Sequence, residues 1–142
     1  MTGGHEFAVR ECRADEVEAL LELWRGAGSA PSATDTPVAV VGLLERADGW
    51  LLVAESGGRI VGSLIATWDG WRGSFYKLAV APELRRCGIA TALVREGEER
   101  LRRAGAHRLS AIVLPERPDA AGFWEAAGFD LHDGAVRFTK TC

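Results

Sequence analysis

At 142 residues and 15.3 kDa, with 47% hydrophobic and 26% charged residues, the chain has the composition of one globular domain. A domain of that size buries about two-thirds of its unfolded surface. A formal net charge of -3 excludes a sequence-independent nucleic-acid binder, which needs a basic face to displace counterions. No run of about 18 apolar residues is present, and the opening MTGGHEFAVRE has neither a basic n-region nor an apolar h-region, so the expectation is a cytoplasmic protein without a membrane span. Cys12, Cys87 and Cys142 are isolated and odd in number, with no C-x-x-C pair and no histidine at ligand spacing. Free thiols and no metal site follow from that spacing.

In chain order, Phe7 to Arg10 alternates as a strand, and a helix starts at Arg13-Ala14-Asp15, with Val17, Leu20, Leu21 and Trp24 at helical spacing up to Gly26. The segment 26–37, GAGSAPSATDTP, reads as a loop longer than a plain connection needs, and loops of that kind carry substrate contacts. A short helix over Val38 to Arg46 comes next. Two strands follow, Trp50 to Glu55 and Arg59 to Trp68, joined at Ser56-Gly57-Gly58. Asp69-Gly70 is the strongest turn signal in the chain and leads into a strand over Ser74 to Val80.

After Pro82 a basic turn, Arg85-Arg86-Cys87-Gly88, runs straight into a helix closed by Gly105. Gly97 falls inside that helix, where it costs about 1 kcal/mol relative to alanine and so marks close packing. The later arginines, Arg100, Arg102 and Arg103, alternate with Glu96, Glu98 and Glu99 and read as a solvated helix face. His107 to Leu114 is a buried-type strand, Pro118 through Ala127 a helix, and Phe129 to Lys140 a hairpin centred on Asp133-Gly134.

The strand-turn-helix junction has the makings of an anion site. The first helical turn has backbone N–H groups without intrahelical partners and carries about half a positive charge from the aligned peptide dipoles. Gly88 lets a ligand approach the backbone, Ala90 keeps the first turn narrow, and the Thr91 hydroxyl adds a donor. For Arg85 and Arg86 two readings stand: phosphate contact or solvated surface. Cys87, beside two arginines at a helix N-terminus, is the one cysteine placed for reactivity, against the plain reading of a loop residue. Neither a Walker loop nor a G-x-G-x-x-G dinucleotide turn is present.

What is present is R-x-x-G-x-A, formed by Arg85, Gly88 and Ala90 after L-A-V-x-P, and this resembles the coenzyme A pyrophosphate loop of the GNAT N-acetyltransferase family. A second stretch, Ala120 to Phe129, A-x-x-F-W-E-A-A-G-F, resembles the family segment that closes the coenzyme site. The element order β-α-α-β-β-β-α-β-α-β-β is similar to the whole family fold. The W-D-G-W-R-G hairpin at 68–73 followed by Y-x-L-x-V resembles a subgroup of small stand-alone bacterial acetyltransferases. The resemblance implies an α/β (α+β type) fold with a mixed, mostly antiparallel sheet flanked by about four helices, and a single N-acetyltransferase domain over 1–142. It implies acetyl-CoA as co-substrate, an amine acceptor on a small molecule or protein, and a possible homodimer. Backbone groups of Leu78, Ala79 and Val80 would receive the pantetheine arm, amides from Arg85 through Cys87, Gly88, Ile89 and Ala90 to Thr91 the pyrophosphate, and the Val80 amide the reacting carbonyl oxygen. Trp124 would border the coenzyme.

Three departures bear on chemistry. The tyrosine that many relatives use to protonate the departing thiolate is Trp124 here, the asparagine before that helix aligns with Arg117, and a glutamate base found in some relatives aligns with Ser74. A thiol near pKa 8.5 is a tolerable leaving group without an acid, whereas an amine near 10.4 must first lose a proton, so a base is the greater need. Tyr76 shares strand parity with Leu78 and Val80 and is a candidate, or a sheet-face aromatic. Asp69 is a candidate base through water, or simply the turn residue; Glu22 on the first helix is an acceptor-side candidate, or surface. Trp24, Trp68 and Trp71 are each core filling or, as a group, an apolar acceptor pocket. The rival to an enzyme is a non-catalytic acyl-CoA binding or sensing domain.

Overall fold

The computed structural model describes residues 6–29, 31–113, 118–132 and 134–142. Two compact units are present, 1–111 and 112–142.

The first unit is built on a five-stranded sheet in sequence order: β1 (Ala8–Glu11), β2 (Gly49–Ser56), β3 (Arg59–Trp68), β4 (Gly73–Val80) and β5 (Leu109–Ala111). The first three pairings are antiparallel and the last is parallel. Sequence punctuation explains the hairpins. Gly57 and Gly58 both take positive φ, 58° and 79°, which the tight turn between β2 and β3 requires. At the β3–β4 turn the Asp69 carboxylate accepts from the Trp71 and Arg72 amides at 2.8 and 2.7 Å.

Helices cover both faces of this sheet. A 3-10 turn at Ala14–Glu16 precedes α1 (Val17–Gly26), where Glu16 accepts from the Arg13 amide at 2.9 Å. Helix α2 (Pro37–Leu44) starts where Thr36 caps the Ala39 amide at 3.2 Å with Pro37 at the first helical position. Helix α3 (Ile89–Ala104) ends at Gly105, φ 116°, whose amide and that of Ala106 bond the Leu101 carbonyl. Leu20, Leu52, Leu64, Ile89, Leu93 and Leu101 are the fully buried centre. On the polar side of α3, Glu96–Arg100, Glu98–Arg102 and Glu99–Arg103 pair at i,i+4; Arg102 and Arg103 lie on the solvated face read from the sequence, whereas Arg100 is 23% exposed and also reaches Glu11 of β1 at 2.6 Å.

Glycines let α3 lie close to the sheet. A Cβ on Gly62 of β3 would come within 2.8 Å of Ile89, and one on Gly97 within 2.8 Å of Phe75 and 3.0 Å of Leu64. The mid-helix glycine is therefore a packing residue, as its cost in helix propensity implied. Even-numbered β3 residues face α3, while odd-numbered Ser63 faces α1 and accepts from the Trp24 indole at 2.9 Å.

Two sequence expectations change. The strand expected over His107 to Leu114 is limited to Leu109–Ala111 among the described residues, and Leu114 lies outside them. In the second unit, α4 (Pro118–Ala126) forms, but no strand is present among the described residues of Phe129 to Lys140. A strand needs a neighbour for its ladder, and here Leu131, Val136 and Phe138 remain 71%, 77% and 92% exposed. Asp133 lies outside the described residues.

Candidate functional site

Strand β4 carries an extra residue. Tyr76 stands opposite Ile65 and Ala79 opposite Ser63, so Lys77 and Leu78 together face Leu64, and Lys77 takes φ 54° to make the bulge. Cross-strand partners share a face, so Tyr76 lies with Ile65 on the α1 side and Val80 with Gly62 on the α3 side. The parity that put Tyr76 and Val80 on one face is thus inverted between them.

Below the bulge, β4 loses its second neighbour. Among the described residues β5 pairs only with Gly73, Ser74 and Phe75. The Ala81 amide bonds the Val61 carbonyl at 2.8 Å, which makes Val61–Ala81 a bonded pair and Gly62–Val80 a non-bonded one. Val80 therefore turns its N–H and C=O away from β3, toward the side that β5 leaves open. Among the described residues no strand pairs with this edge, where the Val80 amide faces away from β3.

Beyond it a 3-10 turn, Pro82–Leu84, leads to the basic loop. Arg86 and Gly88 both take left-handed backbone, φ 66° and 86°, and Gly88 is the N-cap of α3, with nothing within 4 Å of where its Cβ would stand. The first α3 amide with an i−4 partner is Ala92, bonded to the Gly88 carbonyl at 3.0 Å, so the amides before it form the open first turn. Ile89 is buried, Ala90 half-buried and Thr91 exposed. Cys87 is half-buried, its Sγ 3.8 Å from the Arg85 carbonyl.

Arg85 does something neither sequence reading contained. Its Nε donates to the Val80 carbonyl at 3.3 Å and an Nη to the Ala27 carbonyl at 2.9 Å, tying the end of β4 to the end of α1. Arg86 has an exposed side chain at the rim.

On the α1 side of the bulge, polar groups converge. Ser63, wholly buried, accepts from Trp24 and donates to the Lys77 carbonyl at 2.8 Å. The Lys77 ammonium reaches Ser29 Oγ and Asp35 Oδ2, each at 3.0 Å, and lies 4.9 Å from the Trp24 ring. Burial alone would raise the Asp35 carboxyl, but hydrogen bonds from Lys77 and Ser32 outweigh it and hold the group below its ordinary value. The sequence held a hint in one lysine within an otherwise apolar strand, and one acid in a loop of small residues.

Other candidates fall apart spatially. Trp24 is core on one face of the sheet, whereas Trp68 ends the α3-facing row of β3, with its ring 3.7 Å from the Cβ position of Gly105. Trp71 is 72% exposed under a stacked Arg72 guanidinium at 4.3 Å. The three tryptophans do not form one pocket. Asp69, fully exposed, is held below its ordinary value by the Arg72 and Trp71 amides it caps. Glu22 pairs at the surface with Arg25 at 2.6 Å. Ser74 is half-buried between Thr67 and Ser110. Within the second unit Trp124 is buried edge-on to Phe123 and Phe129, at centroid distances of 5.3 and 4.9 Å. Arg117 lies outside the described residues.

Residues 14–129, which include the bulged strand and the glycine-capped helix, match the model of the acetyltransferase (GNAT) family. The chain belongs to the GNAT acetyltransferase family. An acetyltransferase of Photorhabdus laumondii is 34% identical over 134 residues, covering 93% of each chain. Among solved structures, the PaiA N-acetyltransferase of Thermoplasma acidophilum in complex with coenzyme A superposes with a TM-score of 0.83 at 16% identity, over 90% of this acetyltransferase and 92% of that chain. An aminoglycoside N-acetyltransferase in complex with CoA gives 0.79 at 17% identity, over 100% and 99%. These two likenesses are of fold. No helix among the described residues of this acetyltransferase is long and apolar enough to cross a membrane.

Proposed function

We propose that this acetyltransferase moves an acetyl group from acetyl-CoA to a primary amine by direct attack within a ternary complex. The observation that carries the reading is the continuity of the Val80 edge, with which no strand pairs among the described residues, with the Gly88-capped first turn of α3. An extended amide-bearing arm matches the strand edge, and a pyrophosphate matches the amides of the helix start. Gly88 fits that assignment, because it is the N-cap next to those amides and the space where a Cβ would stand is open, with nothing within 4 Å. The thioester supplies the activated acyl carbon. The chain's own work is to bind its carrier along 78–91, to donate a hydrogen bond from the Val80 amide to the carbonyl oxygen, and to hold the amine in line.

The proton leaving the amine needs an acceptor. Tyr76, 44% exposed and on the α1 face, is a titratable side chain of β4 itself, and acts directly or through water. The single domain spanning 1–142 belongs to the same reading. Calorimetric titration with acetyl-CoA and with coenzyme A tests it. Micromolar binding, about -8 kcal/mol, lost in Arg86→Glu, supports the anion site. Absence of binding to either ligand overturns the proposal. Binding without turnover across amine panels would favour the non-catalytic sensing domain, a reading motivated by Trp124 in place of the customary acid.

A further inference from the structure

We infer that Lys77 is a positioning residue for the acceptor side of the site: its ammonium fills an ammonium pocket made by Asp35, Ser29 and Trp24 and so latches the 27–36 connection onto the β4 bulge. The inference rests on the acetyltransfer reading only for what the latch does, and on geometry for its existence.

Lys77 reaches helix α1 and the connection that follows it, more than 40 positions away in sequence. Lys77 sits on β4, Trp24 on α1, and Ser29 and Asp35 on the connection between α1 and α2. The Lys77 and Asp35 side chains are only 15% and 19% exposed, so both charges have left most of their water. Immobilising a lysine and burying its charge both cost free energy, and they persist where carboxylate, hydroxyl and aromatic face together replace the lost hydration. Ser32 donates to the same Asp35 at 2.8 Å and fixes the carboxylate within its own loop. The opposite end of the residue is also fixed, because Ser63 holds the Lys77 carbonyl and the left-handed φ carries the bulge.

The consequence is a division of labour at the bulge. The backbone of β4 from Leu78 onward presents its edge to the coenzyme side, while the Lys77 side chain spans the other way and sets the position of the connection. Asp35 is the only acid between Gly26 and Pro37, and Lys77 already neutralises it. The acceptor amine is therefore held by something other than a carboxylate of that loop.

The test uses the full chain and three variants, Lys77→Ala, Lys77→Met and Asp35→Asn. Amide hydrogen exchange across 27–36 is read first, without coenzyme. In Lys77→Ala the loop amides exchange faster by about tenfold, propylammonium chloride restores most of the protection, and sodium chloride at equal ionic strength restores none. Lys77→Met, which keeps the apolar stem, opens the loop without rescue, as does Asp35→Asn, and it serves in place of Lys77→Ala should that variant fold poorly. Coenzyme affinity stays within about threefold, and with any working amine acceptor KM rises by about tenfold at nearly unchanged kcat. Unchanged loop exchange in both Lys77 variants overturns the latch, as does equal rescue by sodium, or coenzyme affinity falling in step with loop protection. Failure of the wild-type protein to bind coenzyme would remove the acetyltransfer reading but leave the exchange experiment standing, so the two failures are distinguishable.

Discussion

Phe75 of β4 and Gly97 of α3 meet so closely that a methyl group on the glycine would stand 2.8 Å from the phenyl edge. Leu64 Cδ2 closes the other side at 3.0 Å, and both neighbours are buried in the core, at 0% and 3% exposure for Leu64 and Phe75. Alanine at 97 would gain about 1 kcal/mol in helix propensity, against an overpacking cost of about 1–3 kcal/mol. Gly97→Ala is expected to lower stability overall, seen as a lower urea midpoint at unchanged slope. A stabilised variant would mean that α3 can slide on the sheet.

Ser63→Ala removes the acceptor of the Trp24 indole and the donor to the Lys77 carbonyl at once. Trp24 is 3% exposed, so its N–H would be left without water as a substitute. Buried unsatisfied groups cost about 1–3 kcal/mol, which sets the expected loss by chemical denaturation. Ser63→Thr, which keeps the hydroxyl, should recover part of it. Equal losses in both would assign the effect to packing.

Gly88→Ala separates backbone strain from ligand contact. At φ 86° an alanine costs about 1–2 kcal/mol, and open space around the position adds no clash. Stability should therefore fall modestly, while coenzyme affinity falls by more than about tenfold if the proposed pyrophosphate site uses the amides that follow this N-cap. Calorimetry on the folded variant decides. Unimpaired binding would move the anion away from this turn.

Acid sensitivity should centre on Glu16. Hydrogen bonds from Arg10 at 2.7 and 2.9 Å, helped by the Arg13 amide and opposed by burial, hold its carboxyl down to about 2 from an ordinary 4.5. A carboxyl depressed in the folded state stabilises fully above its unfolded pKa, and that contribution is lost as pH falls from 4.5 toward 2. Glu16→Gln should lower the thermal midpoint at neutral pH and flatten its decline through that window. A parallel decline in both proteins would place the acid-labile group elsewhere.

The fold was legible where local signals were strong. Glycine pairs and Asp-Gly fixed the hairpins, helical spacing of Leu20, Leu21 and Trp24 fixed α1, and Gly97 announced its tight contact. The proposed anion loop was legible as a stretch of sequence, since Arg85 to Thr91 is contiguous and the proposal rests on its backbone amides. What escaped was whatever depends on contacts between distant segments. Arg85 spends donors on carbonyls of Val80 and Ala27, a tie that no local pattern encodes. The Lys77–Asp35 pair joins residues 42 positions apart. Strand parity failed at Tyr76 because a bulge is written in pairing, not in hydropathy. The terminal hairpin rested on turn chemistry and alternation alone, and neither supplies a neighbouring strand.

The extra residue in β4 acts like a frameshift in a two-letter code. Up to Tyr76 even numbers point toward α1; at Val80 an even number points toward α3. A one-residue deletion at the bulge would leave one residue opposite Leu64, with Ala79 still opposite Ser63 and Val80 still opposite Gly62, so the later side chains would keep their layers and the strand would regain one unbroken alternation. What the inserted step does is make positions of equal parity, Tyr76 and Val80, belong to opposite layers of one strand. Such a shift is a property of length, and many side chains at 77 are compatible with it.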